Sequence, residues 1–119
     1  MANIDASLKE LLSIDGAVGG CIVDYTSGMV LGASGAGVDL DLAAAGNSQV
    51  VKAKMETMKS LGIAGSIHDI LITLDEQFHI IRPTANHKGL FIYLVLDKNK
   101  SNLALARHKV QSVESAMTV

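Results

Sequence analysis

Few residues in this chain could do chemistry, and their spacing does not bring them together. There are four histidines, His68, His79, His87 and His108, one cysteine, Cys21, and two arginines, Arg82 and Arg107. Ligands of one zinc must lie within about 2 Å of it. With Asp75 and Glu76 as a two-residue turn, His79 falls opposite Ile72, leaving His68 four rungs away, about 13 Å at the usual strand rise. That pair cannot share a metal, and no metal or cofactor is expected. The same register sets Asp69 against Arg82 as a cross-strand pair. Nucleophilic or acid–base catalysis needs a base and an orienting partner in a pocket. The carboxylates of Asp24, Asp39, Asp75 and Asp97 instead fall where turns and helix starts are expected. The GASGAG run at 32–37 lies between a strand and a helix, as a phosphate loop does. It has neither the GxxxxGK[ST] nor the GxGxxG pattern, and its strand belongs to a hairpin rather than a βαβ unit. Either arginine could in principle act as an arginine finger toward a GTPase, but a structural role is expected for both. No catalytic residue is assigned, and the chain reads as a non-enzyme.

Composition narrows the class further. The 119 residues carry a formal net charge of −2, which argues against a nucleic-acid partner. Aromatic residues make up only 3% of the chain, so stacking platforms for single strands are scarce and the core must be aliphatic. Cys21 cannot form an internal disulfide and lies in an apolar run, which predicts a buried, unreactive thiol and a cytoplasmic location. The N-terminal residues include Asp5 and Glu10 and lack a signal-like apolar stretch. The longest apolar run, 90–96, is far short of the roughly 20 residues of a membrane span, so no membrane insertion is expected.

Periodicity places the elements around these residues. Ile4, Leu8, Leu11 and Leu12 form the apolar stripe of a short helix. Residues 17–24 read as a strand apolar on both faces, with Ala17, Cys21 and Val23 on one side and Val18 and Ile22 on the other. Residues 25–28 are turn chemistry, 29–34 return as a hairpin partner, and GASGAG gives a flexible exit. Asp39 then caps a helix that runs to about Leu61 and is stopped by Gly62. Leu40, Ala43, Ala44, Asn47, Val50, Val51, Met55, Met58 and Leu61 share its buried face. Asp41, Ser48, Lys52, Glu56 and Lys59 form its wet face. Between them lies a stripe of mostly small residues, Leu42, Gly46, Gln49, Ala53, Thr57 and Ser60, that would let another backbone approach. Strands are expected at 67–74, 77–83 and 89–97, with a last helix from near Asn99 or Ser101 carrying Leu103, Ala106, Val110, Val113 and Met117.

The order is therefore α-β-β-α-β-β-β-α, an α+β single domain spanning 1–119. It predicts a five-stranded antiparallel sheet sandwiched between the long helix and two terminal helices. The continuously apolar 90–96 belongs in the middle. The third strand is then an outer one, although Ile67, Ile70, Leu71, Ile72 and Leu74 make it among the greasiest. A long apolar edge is an aggregation hazard that proteins blunt with charge, proline or a bulge. Pairing with its symmetry mate resolves the hazard and makes those five residues a homodimer interface. The long helix would meet its copy alongside, with Leu42, Gly46, Gln49, Ala53 and Thr57 as a helix–helix or partner contact.

Several segments, LLSIDGAVGG, IVDYTSG, FHIIRP, LFIYLVLD and NLALAR, taken in order with the long helix, resemble the roadblock (dynein light chain) family over nearly the whole chain. The resemblance is strongest to compact bacterial members. It implies a small α/β homodimer that binds and regulates a Ras-like GTPase of the gliding or polarity type, in some members by accelerating hydrolysis. It carries over no catalytic residue. A structural scaffold and a small-ligand sensor module are the other readings, the latter requiring a polar-lined pocket.

Overall fold

The computed structural model describes residues 3–118. The elements are α1 (Ile4–Leu12), β1 (Ala17–Asp24), β2 (Met29–Gly35), α2 (Leu40–Leu61), β3 (Ile70–Thr73), β4 (Gln77–Pro83), β5 (Leu90–Asp97), a 3₁₀ turn (Lys98–Lys100) and α3 (Leu103–Ala116). The strands form one sheet in the order β2-β1-β5-β4-β3, with every neighbouring pair antiparallel. The expected mixed α/β order and the sheet sandwiched between the long helix and two terminal helices are both present. β5 is central, and residues 90–96 are all buried.

Two apolar clusters flank the sheet. Leu8, Leu11, Ile22, Ile80, Ile92, Leu94, Ala106 and Val110 pack between the sheet and the helices α1 and α3. Cys21, Val23, Ala44, Val51, Ile81, Phe91, Tyr93 and Val95 pack under α2. The helix signals of the sequence hold at α2: the Asp39 carboxylate accepts the Leu42 N–H at 3.1 Å, and Gly62 closes the helix at φ 70°. A left-handed residue there is the usual place for glycine.

Local expectations fail where strict alternation or a simple wheel was assumed. Ala17 packs with Ile22 in the α1/α3 cluster, and Val18 joins Cys21 and Val23 under α2. This reverses the expected assignment because the β1–β5 register shifts between Ala17 and Gly19, and a bulge turns each residue before it to the other face. Residues 32–35 of GASGAG are not an exit loop but ladder residues, with Gly32 opposite Ile22 and Gly35 opposite Gly19. Small residues are required there because α1 lies close: a Cβ at Gly32 would come 2.6 Å from Ile4 Cγ2 and 2.9 Å from Leu8 Cδ1.

On α2 the stripe facing the sheet is Ala44, Ser48, Val51 and Met55, so Ser48 is buried rather than wet. Its hydroxyl donates to the Ala44 carbonyl at 2.7 Å, which satisfies it without solvent. Val50 and Leu61 correspondingly turn outward, and Leu61 is 65% exposed. α3 begins at Leu103 with Asn102 as its cap, later than expected, because Asp97 caps the intervening 3₁₀ turn.

The third strand is shorter than expected. Ile67, His68, Asp69 and Leu74 lie outside β3. In the β3–β4 register Ile70 faces Ile81, so residue 68 would fall opposite Pro83, which has no N–H to extend a ladder. At the other end, Leu74 N–H donates to the Gln77 carbonyl at 2.8 Å and closes the turn.

The expected Asp69–Arg82 pair is replaced by two pairs with α3. Asp69 takes both Arg107 Nε (2.8 Å) and Nη2 (2.7 Å), and Arg82 Nε takes Glu114 Oε1 at 2.8 Å. Asp69 lies before β3, outside the ladder that would have set it opposite Arg82, and α3 offers it a two-pronged guanidinium while giving Arg82 a buried carboxylate.

Gly19 provides a test of this packing. A Cβ there would overlap the carbonyl oxygen of Ala36, whose N–H is held to the Val18 carbonyl at 2.7 Å. Gly19→Ala is expected to cost about 1–3 kcal/mol, read as a lower urea midpoint at unchanged slope. Gly46→Ala adds a methyl to a helix position with nothing of its own chain within 4 Å, and should instead gain the single chain about 1 kcal/mol.

Candidate interaction surface

The groups with chemical potential are held as structural parts. Cys21 is fully buried; burial pushes its thiol up to about 12, and the nearby Asp41 charge adds to the shift. It therefore stays protonated at neutral pH and is a poor nucleophile. The Asp24 carboxylate, at the end of β1, accepts from the hydroxyl and N–H of Thr26 in the β1–β2 turn, and these bonds hold it below its usual range. Arg107 is tied to Asp69 and Arg82 to Glu114, so neither guanidinium projects unpaired.

The histidines are scattered as expected. His68 precedes β3, His79 faces Ile72 across the β3–β4 ladder, His87 in the β4–β5 turn lies 3.0 Å from the Met117 carbonyl, and His108 is exposed on α3. Among the described residues no three His, Cys, Asp or Glu side chains gather where they could hold a metal.

What remains distinctive is a surface. β3 is one edge of the sheet, and Ile70, Leu71 and Ile72 are only half-buried. Its ladder with β4 is regular, and its four residues include no proline, lysine or bulge. The opposite edge, β2, is different: its register slips at Leu31, which has no partner opposite it on β1. Such a bulge discourages further pairing. Of the sequence-predicted interface residues, Ile70, Leu71 and Ile72 are on the β3 edge itself. Ile67 is half-buried just before it, and Leu74 is exposed in the turn just after it.

α2 lies chiefly over β1 and β2. The face of β3 and β4 on the α2 side is therefore only partly covered, and Ile70, Ile72 and His79 are half-buried there. The predicted stripe Leu42, Gly46, Gln49, Ala53 and Thr57 is exposed along its whole length, with Leu42 71% accessible. Val50 and Leu61 border it and are also exposed.

A polar chain that sequence reasoning missed crosses this face. Gln77 Oε1 lies 2.9 Å from His79 Nε2, and His79 Nδ1 lies 3.0 Å from the Tyr93 hydroxyl. The amide oxygen can only accept, which assigns the proton to Nε2 and makes Nδ1 the acceptor of the Tyr93 O–H. Burial raises Tyr93 to about 12, partly offset by a hydrogen bond from Asn47 on α2. Burial also lowers His79 below its ordinary value. The rings meet edge to face at 5.4 Å. The only signal in the sequence was the placement of two polar rings on strands whose other inward residues are mainly apolar.

No protein-family model and no curated protein matches this chain. Solved structures do. A Roadblock/LC7 domain from Streptomyces avermitilis superposes with a TM-score of 0.82 at 14% identity, covering 97% of this chain and 94% of that one. Myxococcus xanthus MglB also gives 0.82, at 16% identity and 94% and 89% coverage. The gliding protein MglB of Thermus thermophilus gives 0.72, at 18% identity and 95% and 89% coverage. The structural neighbours are thus Roadblock/LC7 domain proteins, and at these identities the likeness establishes a roadblock fold.

The polar chain sets a pH dependence. A base whose folded pKa is lowered binds its proton more readily when unfolded, so stability is full above the ordinary value of 6.5 and is lost as pH falls through it toward the folded value. The urea midpoint should therefore fall between pH 7.5 and pH 5. It should fall less in His79→Gln, which cannot titrate; equal slopes in the two proteins would remove His79 from the balance.

Proposed function

We propose that this protein is a non-enzymatic homodimeric regulator that pairs through β3 and α2 and presents the paired helices to a small Ras-like GTPase. The observation that carries this reading is the unguarded β3 edge beside a sheet face that its own α2 leaves half-covered. Asn47 reaches Tyr93 on β5, so the flank of α2 that includes Val50 and Leu61, three and fourteen residues on, overlooks the β5–β4 side of the sheet. A second copy supplies both missing parts, strand to strand at the edge and helix to helix across the gap.

Gly46 and Ala53 on the exposed stripe would admit a close helix contact. The remaining exposed stripe, with Leu42 and Gln49, would stay available to the GTPase. The roadblock fold and the sequence resemblance to bacterial regulators of Ras-like GTPases support the choice of partner class. The capping and ion-pairing roles of Asp24, Asp39, Arg82 and Arg107 support regulation by binding rather than by a donated catalytic group.

Two measurements test the reading. Light scattering after size exclusion should give a dimer, and Ile72→Lys, which places a charge at the centre of β3, should give monomer or aggregate. A dimer of unchanged mass in the variant would refute pairing through this edge. Titrated into the organism's own Ras-like GTPase, the protein should bind the GTP form more tightly and speed turnover. Binding without acceleration would identify a scaffold, and no binding in either nucleotide state would refute the partner assignment.

A further inference from the structure

A cavity of about 620 Å³ lies at the C-terminal end of α2, between that helix, the 62–69 segment leading to β3 and the β4–β5 turn. Its volume is that of a small-molecule site, and such sites are characteristically apolar with a few oriented polar groups. The walls here are Tyr25, Met55, Met58, Ile63, Ile67 and Pro83. Methionine is the side chain most able to reshape itself around a guest, and two of them line the helix side. Ile63 is 53% exposed over this opening, which leaves apolar surface at the mouth for a guest to cover.

The charge on this cavity is one-sided. Lys59 and Lys88 line it, together with His68. Neither lysine's ammonium group has a hydrogen bond or an ion pair among the described residues. The one acid in the lining, Glu114, is already committed: Oε1 to Arg82 at 2.8 Å and Oε2 to the Ala85 N–H at 3.4 Å. An uncompensated pair of cations thus faces an apolar chamber, in a chain whose formal net charge is −2.

We infer that this cavity binds a small amphipathic carboxylate, its apolar chain or ring seated between Met55, Met58, Ile67 and Pro83 and its head held at the mouth by Lys59 and Lys88. Arg82 is not part of the recognition, since its charge is spent on Glu114. The lysines act as point charges on flexible stems, which suits a single carboxylate at a partly wet mouth better than a rigid two-pronged contact would. The inference does not rest on the GTPase reading, although Ile67 is shared with the sequence-predicted dimer contact.

The probe is decanoate, kept below its micellar concentration and titrated into the ¹⁵N-labelled full chain at low salt. Saturable shifts confined to residues 55–68 and 82–88, with a Kd below about 1 mM, are expected, weakening as salt screens the lysines. The double variant Lys59→Glu, Lys88→Glu alters only exposed side chains and should weaken binding at least about tenfold, the effect of losing two charge contacts. Decyltrimethylammonium, with the same chain and the opposite head, should bind more weakly than decanoate. Met58→Trp, which fills the chamber from its helix wall, should abolish binding while leaving the amide spectrum dispersed. Shifts spread over the exposed face of α2, equal binding of the cationic analogue, or undiminished binding by the charge-reversed variant would each overturn the assignment.

Discussion

The rest of the structure depends on β5. Seven consecutive residues, 90–96, are buried, so this strand needs a neighbour on each edge and a layer on each face. The edges go to β1 and β4. Phe91, Tyr93 and Val95 require α2 above them, and Ile92, Leu94 and Leu96 require α1 and α3 below. Once those demands are met, β2 and β3 are left as the outer strands. The exposed edge of β3 is therefore a consequence of how β5 is buried rather than a separate feature of the fold.

α3 is fixed in this arrangement by charge as well as by its apolar seam. Glu114 reaches Arg82 on β4 and Arg107 reaches Asp69 just before β3, so the helix spans the outer half of the sheet and ties down the segment entering its edge strand. The two contacts differ in kind. The Arg82–Glu114 pair is largely buried, with side chains 14% and 5% exposed, and such pairs contribute little net stability over apolar packing but are costly to break singly. Arg107 is nearly half exposed, so its bond to Asp69 is screened and contributes mainly geometry. Together they tie α3 to β4 and to the segment entering β3, the side of the sheet that α2 covers least.

How much of this could be read from the sequence depended on the range of the interaction. Asp39 and Gly62 bound α2 by local hydrogen bonding and backbone conformation, and both were legible. The central place of 90–96 followed from its continuous apolarity. The Ala17/Val18 reversal was not legible, because a bulge is a mismatch between two strands and neither carries it alone. Ser48 was misplaced because a wheel ranks residues by polarity, whereas the sheet accepts a hydroxyl that bonds to its own helix. Asp69 fell just outside the β3–β4 ladder that would have set it opposite Arg82, α3 took up both groups, and a partner more than thirty residues away leaves no trace in local spacing. The cavity was likewise invisible, being formed where a helix end, a connecting segment and a turn converge.

The two edges of the sheet show how an aggregation hazard and an assembly surface are distinguished physically. β2 has glycines at 32 and 35 and an unpartnered Leu31, so its outer backbone is kinked and a straight strand cannot add to it. β3 has none of these defences, and the branched and apolar side chains of Ile70, Leu71 and Ile72 favour a regular extended strand. Selection against unwanted pairing would act on both edges alike, since either would aggregate. One blunted edge and one straight edge fit the proposed pairing of β3 with a second copy. The polar chain from Gln77 through His79 to Tyr93 fits the same logic. It lies on the half-covered face beside that edge, where satisfied hydrogen bonds allow polar rings to be covered further without leaving an unpaired group. Tyr93 is already buried by its own chain, so its hydroxyl needs the partner that His79 supplies, and the chain stays satisfied under any further cover.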